Sequence, residues 1–152
     1  MAAGAIVRGH RRRLLVVSAL QCLTACGGHL SPIADPNPRD YANRAPVVVL
    51  EGQCSYYSDS LAGNETANGE IYDPSRLTAA SRDLPFGSIV RVTRRDTGAS
   101  VLVRVNDRGP FGSKERILDL SRAAAEQLRM LQRGVAPIRA EVLVLGKSRR
   151  RR

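Results

Sequence analysis

Apolar positions along this chain fall into short runs rather than long periodic stretches. Val101-Leu102-Val103-Arg104-Val105 has apolar residues on both faces and predicts a buried strand. Ile89-Val90-Arg91-Val92-Thr93-Arg94-Arg95 precedes it, and Asp96-Thr97-Gly98 between them predicts a hairpin turn. Gln53-Cys54-Ser55-Tyr56-Tyr57-Ser58, Leu77-Thr78-Ala79-Ala80 and the alternating run 138–145 predict further strands. The run from Val101 breaks at Asn106-Asp107-Arg108-Gly109-Pro110 and re-forms at Ile117-Leu118. Ser121 then reads as a helix N-cap. Leu120, Ala124, Leu128 and Leu131, three and four apart, predict one helix over 123–131, with Gly134 ending it. Short strands, one helix and a closing strand predict a mainly β fold, a small barrel with little helix.

The ends of the chain change the picture. Arg8 and Arg11 to Arg13 are followed by the apolar run Leu14-Leu15-Val16-Val17-Ser18-Ala19-Leu20 and by Leu23-Thr24-Ala25-Cys26-Gly27. The order of charge, apolar run, small residues and cysteine predicts a lipoprotein signal peptide over 1–26, with Cys26 lipidated after cleavage. The apolar run is too short to span a bilayer. Residues 27–46 are rich in Gly, Pro, Asn and Asp and predict a disordered or extended linker. A domain over 47–146 and a basic tail over 147–152 complete the chain.

Net charge is +10, but four of the 24 basic residues lie in 1–26 and five in 147–152. Between them 15 basic residues face all 14 acids, so the domain is nearly neutral and nucleic acid is not an expected partner. Cys54 is the one cysteine of the domain and reads as a small buried apolar residue. His10 and His29 lie outside the domain, which removes the imidazole that would activate a thiol or hold zinc. No metal or cofactor is expected.

Carboxylates are left as the proton carriers, with Asp107 the preferred catalytic or substrate-positioning acid and Asp119 its rival. Asp107 and Asp119 stand at the two ends of one loop, and a second acidic loop carries Glu70 and Asp73. Each has a plainer role open to it. Asp107 sits among turn residues, and Glu70 follows the turn pair Asn68-Gly69. Asp73 precedes Pro74, and Asp119 lies beside a helix start. Tyr56 and Tyr57, adjacent on a strand, face opposite ways, so one is expected in the core and one in a groove.

Six blocks carry a family resemblance: Gly52-Gln53-Cys54-Ser55-Tyr56-Tyr57, Thr66-Ala67-Asn68-Gly69-Glu70, Leu77-Thr78-Ala79-Ala80, Leu84-Pro85-Phe86-Gly87, Val105-Asn106-Asp107-Arg108-Gly109-Pro110-Phe111, and Ile117-Leu118-Asp119-Leu120-Ser121-Arg122-Ala123-Ala124-Ala125. In this order they resemble the rare lipoprotein A family, septal-ring lytic transglycosylase-like lipoproteins. The resemblance implies a six-stranded double-psi β-barrel with one or two short helices. It implies endolytic cleavage of the bond between N-acetylmuramic acid and N-acetylglucosamine, leaving a 1,6-anhydro end, with a preference for peptide-free glycan strands. It implies a periplasmic location on the outer membrane, with cell-division proteins as possible partners. Glu70, Asp73 and Asp107 match the family's functional positions, and Asp119 matches the key carboxylate of more distant relatives. Tyr57, Ser81, Arg108 and Asn68 are the candidate sugar contacts. Ser81 stands where members commonly have His, which leaves open a non-catalytic, wall-binding lipoprotein.

Overall fold

The computed structural model describes residues 34–147. Its strands are β1 (Val48–Tyr56), β2 (Thr78–Ala80), β3 (Ile89–Arg94), β4 (Ser100–Asp107), β5 (Arg116–Leu120) and β6 (Ala136–Val144), with one helix, α1 (Arg122–Gln127). The signal peptide, Cys26 and all of the tail after Lys147 lie outside the described residues.

The strands close into a barrel in the order β1-β5-β2-β4-β3-β6. Two pairs, β1 with β5 and β2 with β4, are parallel, and the other four are antiparallel. This is the double-psi barrel that the sequence blocks imply. Closure leaves no sheet edge to cap.

Alternation builds the core. On β4, Val101, Val103 and Val105 point inward with Val90 and Val92 of β3 and Ile138, Ala140 and Val142 of β6. Leu102 joins a small outer cluster with Ile89 and Leu143, which is why this strand is apolar on both faces. Leu118 and Leu120 of β5 fill the centre, each worth roughly 2–3 kcal/mol of apolar burial. The hairpin of β3 and β4 forms as expected, with Thr93 opposite Ser100.

The helix is shorter than its apolar spacing predicts. Ser121 caps it, its hydroxyl accepting from the Ala124 N–H. It ends at Gln127 because the Arg129 N–H returns to the Glu126 carbonyl and the Met130 N–H to that of Ala125. These are the two bonds of a Schellman stop, with Arg129 at φ 53° in the place usually held by glycine. Buried Met130 anchors the stop, and Gly134 serves the next turn instead.

The stretch expected as a linker departs from that expectation over 34–46. Asp35 accepts both Nε bonds of Arg76, 3.1 Å each, and the Leu77 N–H at 3.2 Å. Arg44 donates to the Leu143 carbonyl at 2.9 Å, and Arg91 to that of Tyr41 at 2.8 Å. Pro and Asn shape this stretch, but its charged side chains fasten it to the barrel. No helix among the described residues is long and apolar enough to cross a membrane.

Candidate active site

Two β-bulges place the acids. Between β2 and β4 the register steps from Ala79 opposite Val105 to Ala80 opposite Asp107, so Asn106 is an extra residue. Alternation alone would send Asp107 to the core face of Val103 and Val105. The bulge re-aims it, the usual effect of such an insertion. Between β1 and β5 the register steps from Gln53 opposite Arg116 to Cys54 opposite Leu118, with Ile117 the extra residue. Ser55 then faces Asp119, and Asp119 faces Ala80. Asp107, Ala80, Asp119 and Ser55 thus form one row across four neighbouring strands. The two acids stand on either side of a buried methyl, roughly 10 Å apart at the backbone.

Their surroundings differ. Asp107 Oδ1 accepts the Ala67 and Arg108 N–H groups, both at 2.8 Å, and Oδ2 accepts the Tyr57 hydroxyl at 2.7 Å. Burial first, and then the bond to Asp107, push the Tyr57 phenol well above its ordinary value, so it stays a donor. Its ring packs on Tyr72, centroids 4.8 Å apart. Asp119 Oδ1 accepts the Ser55 hydroxyl and lies 3.6 Å from Arg116, whose Nη1 also donates to Ser55 at 2.7 Å. Asp119 Oδ2 receives no hydrogen bond from the described residues. It lies beside Gly109, where an added β-carbon would meet it at 3.7 Å and the Ala80 methyl at 3.6 Å.

Glu70 does not join this row. Arg104 grips both its oxygens, at 2.8 and 2.9 Å, and Asn106 and Asn68 each donate at 3.0 Å. Burial alone would raise its pKa, but the bonds from Arg104, Asn106 and Asn68 outweigh that and hold the carboxyl below its ordinary range. Glu70 is thereby tied to Arg104 and to the bulge residue Asn106. Asn68 is committed likewise: its amide oxygen accepts from the Glu70 N–H at 3.1 Å and the Thr66 hydroxyl at 2.8 Å.

Asp73 is an exposed turn acid. Its Oδ1 accepts the Ser75 hydroxyl and N–H at 2.7 and 2.9 Å, which lowers its pKa. Ser81 is buried, and its hydroxyl receives the Asp83 and Leu84 N–H groups at 3.4 and 3.3 Å. It caps a turn. The Arg108 guanidinium donates to the Ser81 and Leu84 carbonyls, both at 3.0 Å, and covers the Phe86 ring at 3.7 Å. Of the two tyrosines, Tyr57 reaches the site, while Tyr56 bonds the Leu131 carbonyl at 2.8 Å.

Cys54 is fully buried with its sulfur 3.5 Å from that of Met130. Burial, then the charge of Asp119, push its thiol up to about 12. No cluster of three His, Cys, Asp or Glu suited to a metal occurs among the described residues. Sequence reasoning passed over Ser55, Arg116 and Arg82, because their roles depend on bulged registers and backbone carbonyls that leave no trace in residue type.

Of the two carboxylates in this row, Asp107 accepts three hydrogen bonds and Asp119 has one oxygen that accepts none, an arrangement suited to proton transfer. A family model described as lytic transglycolase matches residues 49–140. The chain belongs to the lytic transglycolase family. The matched span of this lytic transglycolase runs from β1 into β6 and contains both acids. It is 51% identical over 92 residues to a probable endolytic peptidoglycan transglycosylase RlpA of Treponema pallidum, covering 60% of this chain and 29% of that protein. It is 46% identical over 108 residues to the endolytic peptidoglycan transglycosylase RlpA of Campylobacter jejuni, covering 68% and 39%. The chain thus spans well under half the length of these relatives. The Clavibacter michiganensis expansin shares the fold, with a TM-score of 0.53 at 20% identity, over 66% of this chain and 53% of that one.

Proposed function

We propose that the chain is an endolytic peptidoglycan lytic transglycosylase that cleaves the bond between N-acetylmuramic acid and N-acetylglucosamine in peptide-free glycan strands. The observation that carries this reading is the Asp107–Ala80–Asp119 row within a lytic transglycolase domain.

Such a reaction needs one group that can both give and take a proton. Asp119 is the acid and base of this reading, since its Oδ2 accepts no hydrogen bond from the described residues. It protonates the glycosidic oxygen as the bond from C1 to that oxygen breaks. The sugar's own 6-hydroxyl then attacks C1, closes the 1,6-anhydro ring and returns its proton to Asp119. Ser55 and Arg116 hold Oδ1 and so fix which oxygen reacts. Asp107, with three of its lone-pair directions filled, holds Tyr57 and the Ala67 loop around the substrate.

By the same reading the protein works outside the cytoplasm, tethered through lipid on Cys26 to the outer membrane, near cell-division proteins. Cys26→Ala should release it from membranes. A second reading, a wall-binding lipoprotein without turnover, is favoured by one observation: Ser81, in the position commonly held by His, is buried as a turn cap. Incubation with peptide-free strands separates the two. Mass spectrometry finds 1,6-anhydro ends under the first reading and intact, bound strands under the second.

A further inference from the structure

We propose that Phe111 is the platform on which a sugar ring of the bound glycan stacks, and that Arg82 is the positioning residue that presents it; the proposal rests on the glycan-cleaving reading of the same groove. A solitary exposed phenylalanine needs no explanation. This one is 72% exposed on a loop that is fastened down from beneath. Arg82 Nη1 donates to the Pro110 carbonyl at 2.6 Å and the Ser113 carbonyl at 2.9 Å. Its Nη2 donates to Arg116 O at 3.0 Å and Lys114 O at 3.5 Å. Arg116 Nη2 adds a bond to the Phe111 carbonyl itself at 3.2 Å. Two guanidinium groups thus satisfy five carbonyls between 110 and 116, work that a surface loop would otherwise leave to water.

The ring borders the candidate site. The point at which a β-carbon on Gly109 would sit is 3.9 Å from the Phe111 ring and 3.7 Å from Asp119 Oδ2. An apolar ring and the open carboxylate oxygen therefore flank one glycine. A pyranose offers both an apolar face of C–H groups and a polar rim, so one sugar can lie on the ring while its neighbour's glycosidic oxygen meets Asp119. Prior fixing of the loop lowers the ordering cost of that contact.

The test uses the full chain, peptide-free glycan strands and counts of 1,6-anhydro ends. Phe111→Ala should raise KM about tenfold, the loss of one aromatic contact, with kcat at saturation within about twofold. Phe111→Trp should restore KM. Arg82→Met should raise KM as Phe111→Ala does, and the double variant should be no worse than either, since both remove one platform. An unchanged KM in Phe111→Ala, or an equal loss in Phe111→Trp, overturns the proposal. If Arg82→Met unfolds, the two exposed Phe111 variants still decide. If the wild type binds strands without cleaving them, the cleavage reading fails, and dissociation constants of the same variants decide the platform. A wild type that neither binds nor cleaves overturns both.

Discussion

The side-chain amide of Asn106 donates to Glu70 Oε2 at 3.0 Å, and Asn106 is the bulged residue that turns Asp107 from the core toward Ala80. Glu70 thereby acts on the site through the backbone of β4. Arg104, 5% exposed and with its Nε unpaired, has Glu70 as its counter-charge.

Glu70→Gln should therefore destabilise the domain by about 3 kcal/mol, because it leaves a buried cation without its anion. Urea unfolding measures it. The pH dependence has a defined sign. The folded-state pKa of Glu70 lies below the ordinary value, so the unfolded chain takes up the proton more readily. The stabilisation is complete above the ordinary glutamate pKa of about 4.3 and is lost as pH falls below it toward the folded-state value. Asp73 and Asp96 are depressed too and add to the same fall. Between pH 6 and 3, the Gln variant should lose stability less steeply than the wild type.

Tyr57→Phe removes one donor from Asp107 while keeping the ring on Tyr72. The fold should survive, and turnover should fall about tenfold, the worth of one charge-assisted hydrogen bond. Steady-state counts of anhydro ends, beside the melting temperature, separate the two effects.

Gly109 has φ +143°, a conformation that side chains rarely adopt. Gly109→Ala should cost about 1–3 kcal/mol in strain and put a methyl against Asp119 Oδ2. Turnover should drop more than the loss of folded protein explains, as seen by comparing activity with the folded fraction from circular dichroism.

Cys54 should resist thiol reagents at pH 8 in the folded state, since burial holds it protonated. Labelling should appear only with global unfolding, which a denaturant series of a chromogenic disulfide reagent checks.

Much of this was legible in the sequence for physical reasons. β-Branched runs and the Asp96-Thr97-Gly98 turn located β3 and β4, since period and turn chemistry are local. Cys54 and the Ser121 cap were legible likewise. The helix end was not, because Arg129 takes a left-handed conformation that its residue type disfavours, under the pull of buried Met130. Among the acids, residue type and loop position could nominate Glu70, Asp73, Asp107 and Asp119 but not sort them. Sorting depended on two bulges, on Arg104 reaching Glu70, and on Ser75 closing a turn on Asp73. The partners of Arg108 and Ser81 were not legible either, because they are carbonyls and N–H groups, which every residue carries.

The most direct measurement compares the wild type with Asp119→Asn on peptide-free glycan strands, with 1,6-anhydro ends counted by mass spectrometry and strand binding measured in parallel. The account predicts anhydro ends from the wild type, and from Asp119→Asn a loss of turnover of at least about a hundredfold with binding intact. Wild-type turnover unchanged by Asp119→Asn, or strands bound and never cleaved by the wild type, would contradict it.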